Sequence, residues 1–150
     1  MRSTKLPPRS AGRGTARSVG SLAVAHPRMY SDDDPYLTEL RQVCLGFPEA
    51  CEVEAWGRPT FRAGKKIFAV FSGDDDRPYG VIFKPEPDEY PALVQDRRIY
   101  VPLYFGPGGW LALDFTVRKK VDWTEVGELM EGSYRQVALK RMLKALEERA

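Results

Sequence analysis

Along the chain, apolar residues recur first at helical and then at strand spacing, and each change of period marks an element. Leu37, Leu40, Val43 and Cys44 share one face at helical spacing. Before them stands Asp32-Asp33-Asp34-Pro35, an acidic start that complements the helix dipole, with a proline suited to the first helical position. Gly46-Phe47-Pro48 ends this helix. Strands are predicted at Glu52–Trp56, Thr60–Ala63 and Lys66–Ser72, the last two joined at Gly64. The run Gly73–Pro78 reads as a polar loop and Tyr79–Lys84 as a further strand. A short helix is expected within Pro85–Asp96, with Tyr90, Leu93 and Val94 on one side. A short strand at Ile99–Pro102 then precedes a loop at Gly106-Pro107-Gly108-Gly109.

From Trp110 the alternation is strict. Leu111, Leu113, Phe115 and Val117 face one way and Ala112, Asp114 and Thr116 the other, which predicts one buried face and one at least partly wet. Asp122-Trp123-Thr124-Glu125 has the form of a capping box. Beyond it Val126, Leu129, Met130, Tyr134 and Val137 fall on one side of a helix, while Leu139, Met142, Leu143 and Leu146 fall nearly opposite. A straight helix cannot bury both sets against one sheet, so a break is expected near Ala138–Lys140. The order of elements predicts a single α+β domain, an antiparallel sheet with helices packed on one face. About 120 folded residues bury roughly two thirds of their unfolded-chain surface, enough for the domain to stand alone.

Charge divides the chain in two. Residues 1–28 hold Arg2, Lys5, Arg9, Arg13, Arg17 and Arg28 and no acid; the other 17 basic residues face all 21 acids, so residues 29–150 carry a net −4. The leading segment is rich in Ser, Gly, Pro and Arg and lacks the apolar content to offset the cost of ordering. It is expected to be a disordered basic tail. Leu22–Ala25 is too short for the apolar core of a secretory signal, whereas an Arg- and Ser-rich leader also fits an organelle transit peptide. A third reading makes Met29 the true start. No apolar run approaches the ~18 residues of a membrane span. Cys44 and Cys51 lack the Cys-x-x-Cys spacing and are expected to be buried free thiols in a reducing, cytoplasmic compartment.

The densest motif is Trp56-Gly57-Arg58-Pro59-Thr60-Phe61, followed by Arg62-Ala63-Gly64-Lys65-Lys66-Ile67-Phe68. It reads as a deliberately bent hairpin. This run resembles the signature of the MmcQ/YjbR family. The resemblance extends over Leu37 to Lys140 and includes Lys66-Ile67-Phe68-Ala69, Lys84 at a strand end, the aromatic-rich Tyr104–Trp110 region, Asp122–Val126 and Ser133–Ala138. It implies a compact sheet-and-helix domain similar to secretion-chaperone-like and frataxin-like folds. It also implies a DNA-binding label that is itself an analogy from fold. Arg58 stands where the family often has His, and Leu139 where it often has Pro.

The only histidine, His26, lies in the tail, so histidine-dependent triads and typical zinc sites are excluded from the folded part. Asp74-Asp75-Asp76 lacks the Gly and distant Glu of an EF-hand loop, and Gly106–Gly109 lacks the Lys-Ser/Thr of a P-loop. Both read as surface turns, as do Arg97-Arg98 and Arg118-Lys119-Lys120. Trp56, Trp110 and Trp123 read as packing residues. No cofactor and no metal are expected. One constellation remains, Arg58, Thr60 and Arg62 on the hairpin, Lys84 at a strand end, and Tyr134, Arg135 and Lys140 from the closing helix. Meeting at one end of the sheet, they would form a cationic notch rimmed by aromatics. Such a notch suits a nucleic-acid phosphate, a small phosphorylated molecule or a carboxylate on a partner protein. The expected function is a non-enzymatic binding module whose nominal partner is DNA, bound weakly, without sequence preference and chiefly through the polycationic tail. A protein-interaction or chaperone-like domain and a binder of a small anionic ligand are the alternatives.

Overall fold

The computed structural model describes residues 26–149. The basic tail expected over residues 1–28 lies outside the described residues as far as residue 25. Helix α1 (Pro35–Leu45) begins where the acidic run predicts, with the Asp34 carboxylate accepting the Tyr36 and Leu37 N–H groups. Its apolar face is buried through Leu37, Leu40 and Cys44. There follow β1 (Ala50–Ala55), β2 (Arg58–Ala63), β3 (Lys66–Phe71), β4 (Gly80–Phe83), the one-turn helix α2 (Tyr90–Leu93), β5 (Ile99–Tyr100) and a 3-10 turn at Gly106–Gly108. Strand β6 (Leu111–Asp114) and helices α3 (Trp123–Val137) and α4 (Lys140–Glu147) complete the chain.

The strands form one antiparallel sheet in the order β1-β2-β3-β4-β6-β5. All helices lie on one face, where Leu37, Phe61, Phe68, Phe83, Leu111, Val126, Met130, Tyr134 and Met142 form the main core. This is the α+β architecture the periodicity predicts. The helix break is present too. Ala138 and Leu139 are extended, with ψ of 150° and 159°, and the turned chain lets Met142 bury fully.

Four local expectations are corrected. The stretch Pro85–Asp96 keeps only the turn Tyr90–Leu93 as helix, because prolines at 85, 87 and 91 remove donors and are tolerated only in a first turn. Trp56 does not end a strand. With Gly57 it makes the two-residue turn between β1 and β2, at φ 56° and 76°. Only glycine suits position 57, since a Cβ there would lie 2.0 Å from the Pro27 carbonyl oxygen. Cys51 is exposed on β1, whereas Cys44 is buried and desolvation raises its thiol pKa well above the ordinary value. Finally, the second face of β6 is not wet. Asp114 is 7% exposed, and Ala112 is fully buried because Phe105 and Trp110 fold back over this face.

A bulge shapes the centre of the sheet. Phe61 pairs with Ala69 and Arg62 with Ile67, which leaves Phe68 as an extra residue of β3. Beside it the Ser133 hydroxyl of α3 donates to the Phe68 carbonyl at 2.6 Å and accepts the Lys84 N–H at 2.9 Å. A helix side chain thus bridges the two strands beyond their last regular pair, Ala69 with Phe83.

Candidate functional site

Strand alternation sends Phe61 and Ala63 into the helix-side core and places Arg58, Thr60 and Arg62 on the opposite face of β2. Thr60 is fully buried there. Its hydroxyl donates to the Val53 carbonyl at 2.5 Å and accepts from Arg62 Nε at 3.1 Å. Its donor is therefore taken and its oxygen is closed to solvent, so Thr60 positions Arg62 from beneath.

The two arginines differ from the others. Arg28, Arg41, Arg77, Arg98, Arg135 and Arg141 each hold a carboxylate within 4.0 Å. Among the described residues Arg58 and Arg62 have no such partner, yet both are half-buried, whereas unpaired Arg97, Arg118 and Arg149 are exposed. Desolvation lowers the pKa of both guanidinium groups. Arginine stays protonated in proteins, so burial here leaves two charges short of water and short of a counter-ion.

Aromatic rings complete the face. Phe105 stands edge-on to Trp56 at 6.3 Å and to Trp110 at 5.5 Å between ring centroids. Beneath them Val70, Ile82 and Ala112 form a small second core, flanked by Ile67 and Tyr100. The Arg77 guanidinium lies 3.7 Å from the Tyr100 ring centroid while pairing with Asp74.

The predicted constellation is divided by the sheet. Arg62, Lys84 and Lys140 belong to elements that end or begin at the same end of the sheet, with Arg62 on the face away from the helices. The Gly64 turn packs on Leu139 and Met142 beside the start of α4, and the Lys84 carbonyl accepts from Gln136 Nε2 at 2.8 Å. Lys65, on the turn between β2 and β3, and Lys66, which opens β3, are exposed at the same end. Arg58 lies at the other end of β2. Tyr134 does not take part, because its ring is fully buried on the helix side and its hydroxyl donates to the Pro48 carbonyl at 2.6 Å. Arg135 is also excluded, since its guanidinium is shared between Glu131 and Glu147 at 2.9 and 2.6 Å.

The other basic clusters are surface structure. Arg118, Lys119 and Lys120 are exposed. Arg98 is clamped between Asp96 at 2.6 Å and Glu125 at 2.7 Å, and its hydrogen bond holds the Asp96 carboxyl at a pKa of about 2. A depressed carboxyl stabilises the fold above its unfolded pKa and loses that contribution as pH falls through the folded value. A displacement of this size corresponds to about 2 kcal/mol, present near neutrality and lost between roughly pH 4 and pH 2. Urea unfolding across this range is expected to show the loss and Asp96→Asn to flatten it; an equal acid slope in the variant would assign the effect elsewhere.

The family model described as YjbR matches residues 45–136. The chain belongs to the YjbR family. The matched span runs from the end of α1 to the last turn of α3 and contains Arg58, Arg62 and Lys84, but not Lys140. No curated protein matches the chain. Among solved structures, this YjbR domain is similar to the Deinococcus radiodurans protein DR2400, which carries a domain termed DUF419. The two share 23% identity with a TM-score of 0.58, over 74% of this chain and 87% of that one. At that identity the likeness bears on the fold.

Proposed function

We propose that this YjbR protein is a non-enzymatic binding module that holds nucleic acid on the sheet face opposite its helices. Arg58 and Arg62 contact phosphates there, and the acid-free basic leader adds a second, sequence-independent attraction. The observation that carries this reading is the pair of half-buried guanidinium groups, neither of which has a carboxylate partner among the described residues. A guanidinium fork suits a phosphate through two parallel hydrogen bonds. Arg62 spends only Nε on Thr60, so its terminal nitrogens remain available. Residues 58 and 62 stand four apart on one strand, about 13 Å between Cα atoms, which lets them hold two separate phosphates of one strand. Nothing in these contacts reads a base edge, so sequence preference is not expected.

The test is a salt titration of oligonucleotide binding to the full chain and to two variant sets. Arg58→Ala with Arg62→Ala is expected to lower the slope of log affinity against log salt by about 1.4 on a single strand, two phosphate contacts' worth. Changing Arg2, Lys5, Arg9, Arg13 and Arg17 to glutamine is expected to remove most of the affinity and up to about 3.5 of the slope. A slope unaltered by the first pair would show that the sheet face is not the phosphate contact. Tight binding of a mononucleotide or inorganic phosphate, dependent on the same pair, would instead identify a small anion as the ligand.

A further inference from the structure

The segment Val101–Gly109 carries no charged residue and ends in an exposed apolar tip. Tyr104 is 94% exposed, Leu103 76% and Val101 56%. The backbone at the tip is strained as well as exposed. Tyr104 has φ of 67°, and the Phe105 N–H donates back to the Leu103 carbonyl at 2.7 Å, which closes a γ-turn of the rare positive-φ kind. A non-glycine residue in that region costs on the order of 1–3 kcal/mol unless its surroundings hold it there.

The surroundings are built to hold it. Phe105, the next residue, is wedged against Trp56 and Trp110 on the sheet face. The Gly106 N–H donates to the Pro102 carbonyl at 2.9 Å, and the Gly109 N–H to the Gly106 carbonyl at 2.9 Å. Anchoring one aromatic ring while turning its neighbour into water is the reverse of what folding alone favours. The raised ring belongs to the same loop that covers the face bearing Arg58 and Arg62.

We infer that Tyr104 is a stacking residue for an unpaired base, so that the module prefers single-stranded nucleic acid to duplex. This rests on the phosphate-binding reading of Arg58 and Arg62. A tyrosine ring offers a flat apolar surface that accepts any base, and needs no pocket on the other side. In a duplex the base faces are already stacked on each other, so a ring on a short tip gains nothing without unstacking. Phosphates on Arg58 and Arg62 hold the strand against the sheet, and Tyr104 takes a base that leaves the stack.

The test compares a short oligothymidylate with a duplex of the same length, using the full chain, Tyr104→Ala and Tyr104→Trp. The unaltered chain is expected to bind the single strand more tightly. Tyr104→Ala is expected to weaken single-strand binding roughly 10-fold with an unchanged salt slope, and to leave duplex binding little altered. Tyr104→Trp, which keeps a ring, is expected to retain the affinity. An oligonucleotide carrying 2-aminopurine gives a direct readout, since stacking quenches its fluorescence and Tyr104→Ala should abolish the quenching. A thermal melt no lower than that of the unaltered chain shows that the variant is folded. Equal or tighter duplex binding, or a Tyr104→Ala variant indistinguishable from the unaltered chain, overturns this inference alone, because loss through Arg58→Ala and Arg62→Ala would still stand. Absence of binding to either oligonucleotide overturns both readings. Tyr104-dependent binding to anionic vesicles in place of oligonucleotides would assign the tip to a lipid surface and overturn it as well.

Discussion

Tyr134→Ala is expected to destabilise the domain by about 3–5 kcal/mol, the usual range for emptying a large aromatic site in a core. The ring is stacked on Phe47 at 4.8 Å, meets the edge of Phe68 at 5.4 Å and has no solvent exposure. For a domain of this size the melting temperature should fall by roughly 10 °C or more. Tyr134→Phe separates the hydroxyl from the ring. Burial raises the pKa of that hydroxyl and keeps it a donor to the Pro48 carbonyl. Removing it leaves a buried acceptor unpartnered at a cost of about 1–3 kcal/mol. Denaturant unfolding and oligonucleotide titration of the same Tyr134→Phe sample distinguish the possible roles. Lower stability with unaltered affinity is the expected pair of results, and lost affinity at full stability would return Tyr134 to the binding site.

Tyr134 also shows what the chain reveals before it folds. Its spacing with Val126, Met130 and Val137 puts it on the core side of α3, and that periodicity was a better guide than its hydroxyl, which suggested a ligand contact. The alternation of Arg58, Thr60 and Arg62 likewise assigns all three to one face of β2. The break before α4 is legible because two apolar sets out of phase cannot share one surface. Pairing of charges is not legible in this way. Arg41 reaches Glu52 and Arg98 reaches Glu125, contacts that the topology brings together across eleven and twenty-seven residues. A net −4 describes the domain without showing which arginines those acids neutralise and which half-buried pair they leave. The cover over the second sheet face depends on a comparable long-range event, the return of Phe105 onto Trp56. The one local clue was the density of aromatics from Tyr104 to Trp110 in an uncharged run. At Trp56 local preference and topology disagree, because a bulky aromatic favours a strand while the two-residue turn holds residues 56 and 57 both at positive φ.

Ser133→Ala should cost about 3 kcal/mol, an unusually large effect for the loss of one oxygen atom. The hydroxyl joins two backbone groups that lie just beyond the last pair of β3 with β4, the Phe68 carbonyl and the Lys84 N–H. Ser133 has no solvent exposure, so removing the hydroxyl exposes neither group to ready replacement by water. The effect should be local as well as global. Native-state hydrogen exchange at the Lys84 amide is expected to accelerate more than at Val81 or Phe83, whose places in β4 are secured by regular pairing with β6. Gln136 holds the adjoining Lys84 carbonyl, so α3 fixes both backbone groups of this residue at the end of the sheet that Arg62, Lys65, Lys66 and Lys140 share. Loosening that grip should reduce oligonucleotide affinity only modestly, because Arg58 and Arg62 are seated on β2 through its pairing with β1 and β3. If Ser133→Ala unfolds within about 0.5 kcal/mol of the unaltered chain and Lys84 exchanges at its original rate, the strands close the gap themselves, and the serine bridge is not what secures the bulge.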